Sequence, residues 1–121
     1  YGEKLLALFE PPTGLDHPPF WFNLSETGDS TGVHNHARES VVSSVYYLEA
    51  PIDSGDLFFR SDGEEDFSLV PKAGSVVLFP SELRHGVRMN SSSGKRISLA
   101  FNLFAFPLPI FREKTFGAEV P

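Results

Sequence analysis

The hydrophobic and polar positions of this chain follow the two-residue period of β-strands rather than the 3.6-residue period of helices. No long stretch has apolar residues at helical spacing, and ten Gly and ten Pro divide the sequence into short segments. Apolar runs bounded by turn-forming residues predict seven strands. These are Leu5–Phe9, Phe20–Leu24, Val41–Leu48, Leu57–Arg60, Ser75–Phe79, Val87–Asn90 and Arg96–Phe106.

Turn-forming residues separate the predicted strands. Residues 51–56 and 62–66 predict chain reversals, 90–94 predict a loop, and the acidic run 64–66 predicts a solvated turn. Short strands with this punctuation are typical of sandwiches and barrels. We therefore expect an all-β fold, either a sandwich or a double-stranded β-helix (jelly-roll) barrel, that forms one domain over residues 1–121. Its expected parts are a lead-in (1–18), a barrel core (19–106) and a C-terminal tail (107–121).

The last predicted strand has two chemically different faces, because alternate residues of a strand point to opposite sides. The apolar face consists of Ile97, Leu99, Phe101 and Leu103. The polar or small face consists of Arg96, Ser98, Ala100 and Asn102. A face with one cation, one hydroxyl and one amide predicts the lining of a pocket, and a solvent-facing surface is the alternative.

Composition and charge narrow the function classes. The formal charge is −6 and the ten basic residues are scattered, which argues against nucleic acid as a partner. Because the chain has no cysteine, histidines and carboxylates are the strong metal ligands that remain. No apolar run reaches the ~18–20 residues that span a bilayer, so we expect a soluble, cytoplasmic protein. Because the chain begins at Tyr1 rather than Met, we also expect a missing upstream segment.

Three of the four histidines lie in two short motifs. His34 and His36 form an H-x-H motif, and His85 follows the predicted strand that ends at Phe79. Two residues apart in extended chain, the first pair points to one side. Such a pair and one distant histidine are the minimum for a three-ligand metal site with open positions. Surface histidines, or core histidines held by hydrogen bonds, are the alternative.

Arg96 follows His85 in the sequence and lies on the predicted pocket face. A guanidinium in a pocket needs an anion, and its planar fork suits a carboxylate. Ser98, two residues further on the same face, supplies a hydroxyl beside it. Together these two residues predict a seat for a carboxylate.

The order of these motifs resembles that of the iron(II)/2-oxoglutarate oxygenases. After H-x-H come Ser-Val-Tyr-Tyr-Leu (44–48), Ser-Gly-Asp-Leu-Phe-Phe (54–59), Gly-Ser-Val-Val-Leu-Phe-Pro-Ser (74–81), Leu-Arg-His (83–85) and Arg-Ile-Ser-Leu-Ala-Phe-Asn (96–102). The resemblance runs from about Trp21 to Leu103. It is strongest to the largely uncharacterised branch whose first motif reads H-x-H, and it is more distant to the prolyl hydroxylases.

The resemblance implies a dioxygenase that binds Fe(II), uses 2-oxoglutarate and O2 as cosubstrates, and hydroxylates an unidentified substrate with release of succinate and CO2. By position, His34 and His36 match the first ligand pair of the family. His85 matches the distal ligand. The resemblance therefore implies that these three residues form both the metal site and the catalytic centre.

The resemblance also implies a cosubstrate site. Arg96 matches the basic residue that binds the far carboxylate of 2-oxoglutarate, and Ser98 matches an assisting hydroxyl. Tyr47 matches a pocket tyrosine, although a bulge after His36 would exchange it for Tyr46. Two apolar residues, Val45 and Leu57, would line the same pocket.

The sequence departs from the wider family at His36, where a carboxylate ligand is usual. A neutral histidine there leaves the metal site one unit more positive, which brings the identity of the metal into question. Glu39 is an alternative ligand, although its place in a turn favours a loop carboxylate. Trp21 and Asn23 could reach the mouth of the barrel, although core packing is the alternative for Trp21. Asn102 is expected to be a buried amide with its hydrogen bonds satisfied.

Two other functions fit parts of the pattern. A cupin would share the barrel and the metal, but the spacings of Glu39 after His36 and of His85 after Pro71 and Gly74 do not match cupin motifs, and a cupin has no evident need for Arg96. A non-enzymatic jelly-roll binding module is the third interpretation. The complete set of three histidines and an arginine argues against it.

Overall fold

The structure, a computed structural model, describes residues 5–7, 19–36 and 40–105. Within these ranges the chain forms nine β-strands. They are β1 (Leu6–Ala7), β2 (Phe20–Ser25), β3 (Thr31–His34), β4 (Val42–Glu49), β5 (Leu57–Phe59), β6 (Phe67–Leu69), β7 (Val76–Pro80), β8 (His85–Val87) and β9 (Arg96–Phe104). Among these residues no helix is long and apolar enough to cross a membrane. The predicted all-β class is confirmed.

The strands form two antiparallel sheets. In the first sheet β9 pairs with β4 along one edge and with β2 and β1 along the other, and β7 extends the sheet beyond β4. The second sheet has the order β3-β8-β5-β6. Consecutive strands repeatedly change sheet, as in a jelly roll. This exchange brings side chains from distant parts of the sequence into the space between the sheets.

The alternation predicted for the last strand is confirmed by the burial of β9. From Arg96 to Phe104 every second residue is buried, and the residues between them are partly exposed. The polar face therefore points between the sheets, where Arg96 is 5% and Asn102 is 2% exposed. The outer face of the same sheet carries exposed apolar side chains on its outer strands. These are Phe22, Leu24, Val76 and Leu78.

A small apolar core holds the two sheets together at one end of the interior. Leu57 and Phe59 of β5 pack with Phe79 of β7. The rings of Phe59 and Phe79 meet edge to face with their centroids 5.0 Å apart, a favoured geometry for aromatic pairs. Val45, Val77 and other partly buried side chains surround this cluster. Among the described residues, the other buried side chains include ten polar or charged ones, which is unusual for a purely structural core.

One predicted strand was wrongly placed, and two strands of the structure were not predicted. The strand predicted at Val87–Asn90 lies instead at His85–Val87, because Gly86 is part of a central strand. A Cβ at Gly86 would lie 2.7 Å from the Phe58 ring and 2.8 Å from the Thr31 carbonyl oxygen, so this glycine permits close strand packing. The short strands β3 and β6 were missed because they are largely exposed and show no alternation of burial.

The acidic run at residues 64–66 is only partly a solvated turn. Glu64 and Glu65 are exposed in the connection between β5 and β6, but Asp66 accepts hydrogen bonds from the guanidinium groups of Arg60 and Arg88. Both guanidinium groups also lie over the Phe58 ring. Asp66 therefore ties the β5–β6 hairpin to the segment that follows β8.

Candidate functional site

The three histidines of the sequence motifs lie together in the structure. His34 is the last residue of β3, His36 follows it in the connection to β4, and His85 is the first residue of β8. β3 and β8 are neighbours, and His34 pairs directly with His85 in their register. The backbone N–H of His36 donates to the carbonyl of Ser81, 2.8 Å away, which places His36 near the chain that leads to β8.

The candidate ligand atoms of His34, His36 and His85 all lie within 4.8 Å of one another. The ring centroids of His34 and His85 are 4.4 Å apart. The Nδ1 atom of His34 lies 2.8 Å from the Gly32 carbonyl, and that of His85 lies 2.9 Å from the Leu83 carbonyl. Since a carbonyl only accepts, Nδ1 donates in both rings, which leaves Nε2 of each ring as the candidate metal-binding atom.

Burial keeps His85 neutral. Its ring is buried beside Phe79, with the two ring centroids 4.7 Å apart. The pKa of His85 is lowered from 6.5 to about 4, chiefly by desolvation; the bond to the Leu83 carbonyl opposes this shift, and the nearby His34 and His36 contribute to it. His34 is exposed and His36 is partly exposed, so the cluster opens towards solvent on their side. Neutral imidazoles with one open side are suited to bind a metal ion.

Arg96 lines a cavity of about 240 Å³ between the sheets. Tyr47 and Ser98 line this cavity with it and are both almost fully buried. Burial raises the pKa of the Tyr47 hydroxyl, against the effect of the nearby Arg96 charge. Tyr46, the alternative to Tyr47, pairs with Leu99 on the outward-facing side of β9. The structure thus brings together the two residues of the predicted carboxylate seat, Arg96 and Ser98, with Tyr47 in the same cavity.

The Arg96 charge is buried without a counter-charge at ion-pair distance. In residues 5–7, 19–36 and 40–105 no carboxylate forms a salt bridge with it. Its Nη1 atom donates to the carbonyl oxygens of Ser54 and Gly55. Desolvation lowers the pKa of Arg96, and the more distant Asp29 only partly opposes this. Burial of an unpaired charge is costly, so an anion in the cavity would relieve a strong desolvation penalty.

The two cavities adjoin. A smaller cavity of about 110 Å³ is lined by the three histidines. Several residues line both cavities, and these are Asn23, Thr31, Val45, Leu57 and Val87. A metal bound by the histidines and an anion bound by Arg96 would therefore lie in one continuous cleft.

The structure also places most of the remaining candidate residues. Trp21 and Asn23 line the cleft, and the Trp21 ring lies 5.7 Å from that of His36. Asn102 is a buried amide, as expected, and its Oδ1 accepts from Ser43 at 3.4 Å. Glu39 and His17 lie outside the described residues. Thr31 was missed because it lies on β3, the strand that the pattern did not predict.

Comparison with a family model supports the resemblance seen in the motifs. The model described as "Putative 2OG-Fe(II) oxygenase" matches residues 61–102 of this chain. These residues run from the end of β5 to Asn102 and include His85, Arg96 and Ser98. No curated protein sequence matches the chain.

Solved structures share the fold. A 2OG-Fe(II) oxygenase family oxidoreductase from Burkholderia pseudomallei is 22% identical, with a TM-score of 0.63 over 70% of this chain and 45% of its own. A prolyl-4-hydroxylase from Pseudomonas putida is 28% identical, with a TM-score of 0.59 over 71% of this chain and 50% of its own. Drosophila melanogaster CENP-C bound to CAL1 has a TM-score of 0.55 at 7% identity, over 69% of this chain and 62% of its own.

The similarities to these three solved structures support a common fold but do not establish an activity. The chain spans about half the length of the two oxygenases. The match to CENP-C, at 7% identity, concerns the fold alone. The double-stranded β-helix is therefore established as the fold, whereas an activity must be argued from the site itself.

Proposed function

Since residues 61–102 match the 2OG-Fe(II) oxygenase family, we propose that this chain is the catalytic core of a non-haem Fe(II)- and 2-oxoglutarate-dependent dioxygenase. The observation that carries the proposal is Arg96, which is buried without a salt bridge among the described residues, in a cavity that adjoins the three histidines. A metal-binding protein without an anionic cosubstrate gives no reason to bury this charge.

The donor set fits the metal. His34, His36 and His85 would hold Fe(II) through imidazole nitrogens, which suit iron among other first-row metals. Two of the rings are oriented by hydrogen bonds from Nδ1 to backbone carbonyls, which fix the tautomer and the ring orientation as is common in metal-binding histidines. With His36 in place of a carboxylate, the ligand set carries no negative charge, so the anionic cosubstrate would be the first group to neutralise the metal.

The Arg96 cavity fits the cosubstrate. Arg96 would pair with the far carboxylate of 2-oxoglutarate, and Ser98 and Tyr47 would supply hydroxyl donors. Val45 and Leu57 line both cavities, so they would border the middle of the molecule. Their apolar side chains exclude water there, which strengthens the electrostatic interactions at both ends.

Bound Fe(II) and 2-oxoglutarate would supply the chemistry, in which O2 is reduced as 2-oxoglutarate is decarboxylated to succinate and CO2 and a substrate is hydroxylated. The protein contributes positioning and electrostatics. Arg96 fixes one end of the cosubstrate and the histidines fix the metal, while the exposed side at His34 admits the substrate. Trp21 and Asn23, beside His36 and Thr31, would be the first residues that the substrate meets.

An anaerobic titration tests the proposal. The protein is freed of metal, Fe(II) and then 2-oxoglutarate are added, and the visible charge-transfer band of the chelate is recorded. We expect a band that saturates at one equivalent of each. Metal binding without the band or any binding of 2-oxoglutarate would favour a cupin-type protein. Binding of neither would favour a non-enzymatic module.

Arg96→Ala separates the two ligand sites. We expect this variant to weaken 2-oxoglutarate binding by about 100-fold, since charge-assisted hydrogen bonds contribute about 1.5–3 kcal/mol each, while Fe(II) binding stays near the wild-type level. Lys95→Ala is the matched control, because Lys95 is the neighbouring cation and is exposed. Loss of Fe(II) binding with unchanged 2-oxoglutarate binding in Arg96→Ala would show that the roles are wrongly assigned.

A further inference from the structure

We propose that Ser25 is a further cosubstrate-binding residue, whose hydroxyl donates a hydrogen bond to the far carboxylate of 2-oxoglutarate beside Arg96. The inference rests on the proposed function, because its ligand is the proposed cosubstrate. Ser25 lies outside the motifs that carry the family resemblance and outside the residues that match the family model.

Backbone register places Ser25 directly beside Arg96. In the antiparallel pairing of β2 with β9, Ser25 is the partner of Arg96, and Asn23 is the partner of Ser98. Directly opposed residues of antiparallel strands point to the same face, with Cβ atoms about 5 Å apart. Ser25 also lines the Arg96 cavity. Its side chain therefore lies on the cavity side of the sheet, next to the guanidinium.

The Ser25 hydroxyl is buried and unpaired. Ser25 is 5% exposed, and its Oγ has no hydrogen-bond partner. Within the described part of the chain, Ser44 and Ser54 are the other residues with such a hydroxyl, and neither lines the Arg96 cavity. A buried polar atom without a partner is unfavourable, so an orphaned hydroxyl in a ligand cavity indicates a group that binds there.

The backbone of Ser25 is anchored. The side-chain amide of Asn90, a fully buried residue, donates to the carbonyl oxygens of Ser25 and Gly94, each at 3.0 Å. Only the Ser25 hydroxyl is left to adjust, by rotation among the three staggered positions of χ1. A donor that is fixed at its backbone loses little entropy when it binds a ligand.

The chemistry of a carboxylate calls for more than one donor. Its two oxygens offer about four acceptor sites, whereas one terminal nitrogen of Arg96 already donates to Ser54 and Gly55. Ser98 lies on β9 itself, two residues from Arg96, and Tyr47 is its partner on β4, at one edge of β9. Ser25 approaches from β2, on the other side of β9. The four side chains together would surround the carboxylate from both edges of β9.

The test compares 2-oxoglutarate with pyruvate, which has the same 2-oxo acid head but lacks the far carboxylate. Binding of each is measured calorimetrically on the Mn(II)-loaded protein, so that no turnover is needed. For Ser25→Ala we expect about tenfold weaker 2-oxoglutarate binding, as for a lost hydrogen bond to a charged group, and unchanged pyruvate binding. Ser25→Thr keeps the hydroxyl and should bind 2-oxoglutarate about as tightly as wild type. Ser25→Val has nearly the shape of the threonine variant but no hydroxyl, and should bind as weakly as Ser25→Ala.

Ser44→Ala is the matched control. Ser44 is 2% exposed and its Oγ is also unpaired, but it lines the histidine cavity and not the Arg96 cavity, so its hydroxyl is not beside the far carboxylate. Both alanine variants should unfold at or above the wild-type temperature, because each removes an unsatisfied hydroxyl.

The outcomes separate this inference from the proposed function. Equal weakening of 2-oxoglutarate and pyruvate, or no weakening of either in Ser25→Ala, would overturn the role of Ser25 alone. Failure of the wild-type protein to bind 2-oxoglutarate would overturn the proposed function and this inference with it.

Discussion

Arg96 shows how single residues of this protein combine burial with charge. The side chain is 5% exposed, and backbone carbonyls of the turn at residues 51–56 hold it. Carbonyl oxygens orient a guanidinium without cancelling its charge, so its affinity for an anion is retained. The turn bends sharply at Asp53 and Gly55, which have φ angles of 65° and 108°. Arg96 thus depends on a backbone conformation that favours glycine at residue 55.

Gly55→Ala should disturb this seat. A Cβ at residue 55 would lie 2.8 Å from Nη1 of Arg96 and 2.3 Å from the carbonyl oxygen of Arg88, so the guanidinium and the backbone must move. We expect weaker 2-oxoglutarate binding with metal binding retained. We also expect a loss of stability above the roughly 1–2 kcal/mol that a side chain costs at positive φ, measured by urea unfolding.

Gly63→Ala is the control for the backbone strain alone. Gly63 also has a positive φ, of 76°, but a Cβ there meets nothing within 4 Å. This variant should lose stability without any change in 2-oxoglutarate binding. Equal effects of both substitutions on binding would mean that the contact with Arg96 is unimportant.

At the scale of elements, short strands are held by side-chain contacts as much as by their own pairing. β5, β6 and β8 have three residues each, fewer than is typical for stable strands. Asp66 compensates at one end, because it bonds to Arg60 of the hairpin and to Arg88 beyond β8. These bonds, above all that from Arg60, lower the pKa of Asp66 from 3.8 to about 2.

The lowered pKa of Asp66 predicts an acid-dependent contribution to stability. A carboxyl group whose pKa is lower in the folded state than in the unfolded state stabilises the fold at pH values above its unfolded-state pKa. This stabilisation is lost as the pH falls through the folded-state pKa. For Asp66, this loss of stability should occur between about pH 4 and about pH 2. Asp66→Asn should therefore lower the urea midpoint at pH 6, and the difference from wild type should shrink towards pH 2.

Asp62→Asn provides the comparison for this pH series. Asp62 pairs with Arg84, but its side chain is 96% exposed, and exposed ion pairs contribute about 0–1 kcal/mol. The urea midpoint of this variant should stay near that of wild type across the series. A constant difference between Asp66→Asn and wild type at every pH would show that packing, not charge, explains the effect.

At the scale of the whole molecule, the histidine cluster and the Arg96 cavity, the proposed sites of the metal and the cosubstrate, lie between the two sheets. His34 and His85 belong to the second sheet, whereas Arg96, Ser98 and Tyr47 belong to the first. A ligand that contacts both sites would cross-link the sheets around an interior with few apolar residues. Binding should therefore stabilise the whole fold rather than one loop.

Metal binding is expected to raise the unfolding temperature. An ion that binds only the folded chain adds about 2.7 kcal/mol at a concentration 100 times its Kd. Thermal unfolding of the metal-free protein with increasing Mn(II) should show a rising midpoint, and 2-oxoglutarate should raise it further. His85→Ala should remove both increments, and His17→Ala, at the fourth histidine, should retain them. Retention of the metal increment in His85→Ala would contradict the three-histidine site.

The sequence by itself determined the all-β class, most strand positions and the chemically distinct faces of β9. These features depend on local alternation, which each strand displays in its own residues. The three histidines and Arg96 were recognisable because their residue types are uncommon in a core and because the order of motifs resembles a known family. Tyr47, which the resemblance favoured over Tyr46, lines the Arg96 cavity, and its role in binding stays a prediction.

Only the tertiary structure decided which residues share a cavity, because strand pairing joins segments that are distant in sequence. It placed β3 beside β8, and therefore His34 beside His85, although β3 shows no alternation. It made Gly86 a close-packed strand residue rather than a breaker. It also placed Ser25 beside Arg96 through the register of β2 and β9. The sequence around Ser25 has no distinctive pattern. Its proposed binding role could therefore be inferred only from its position beside Arg96 in the sheet.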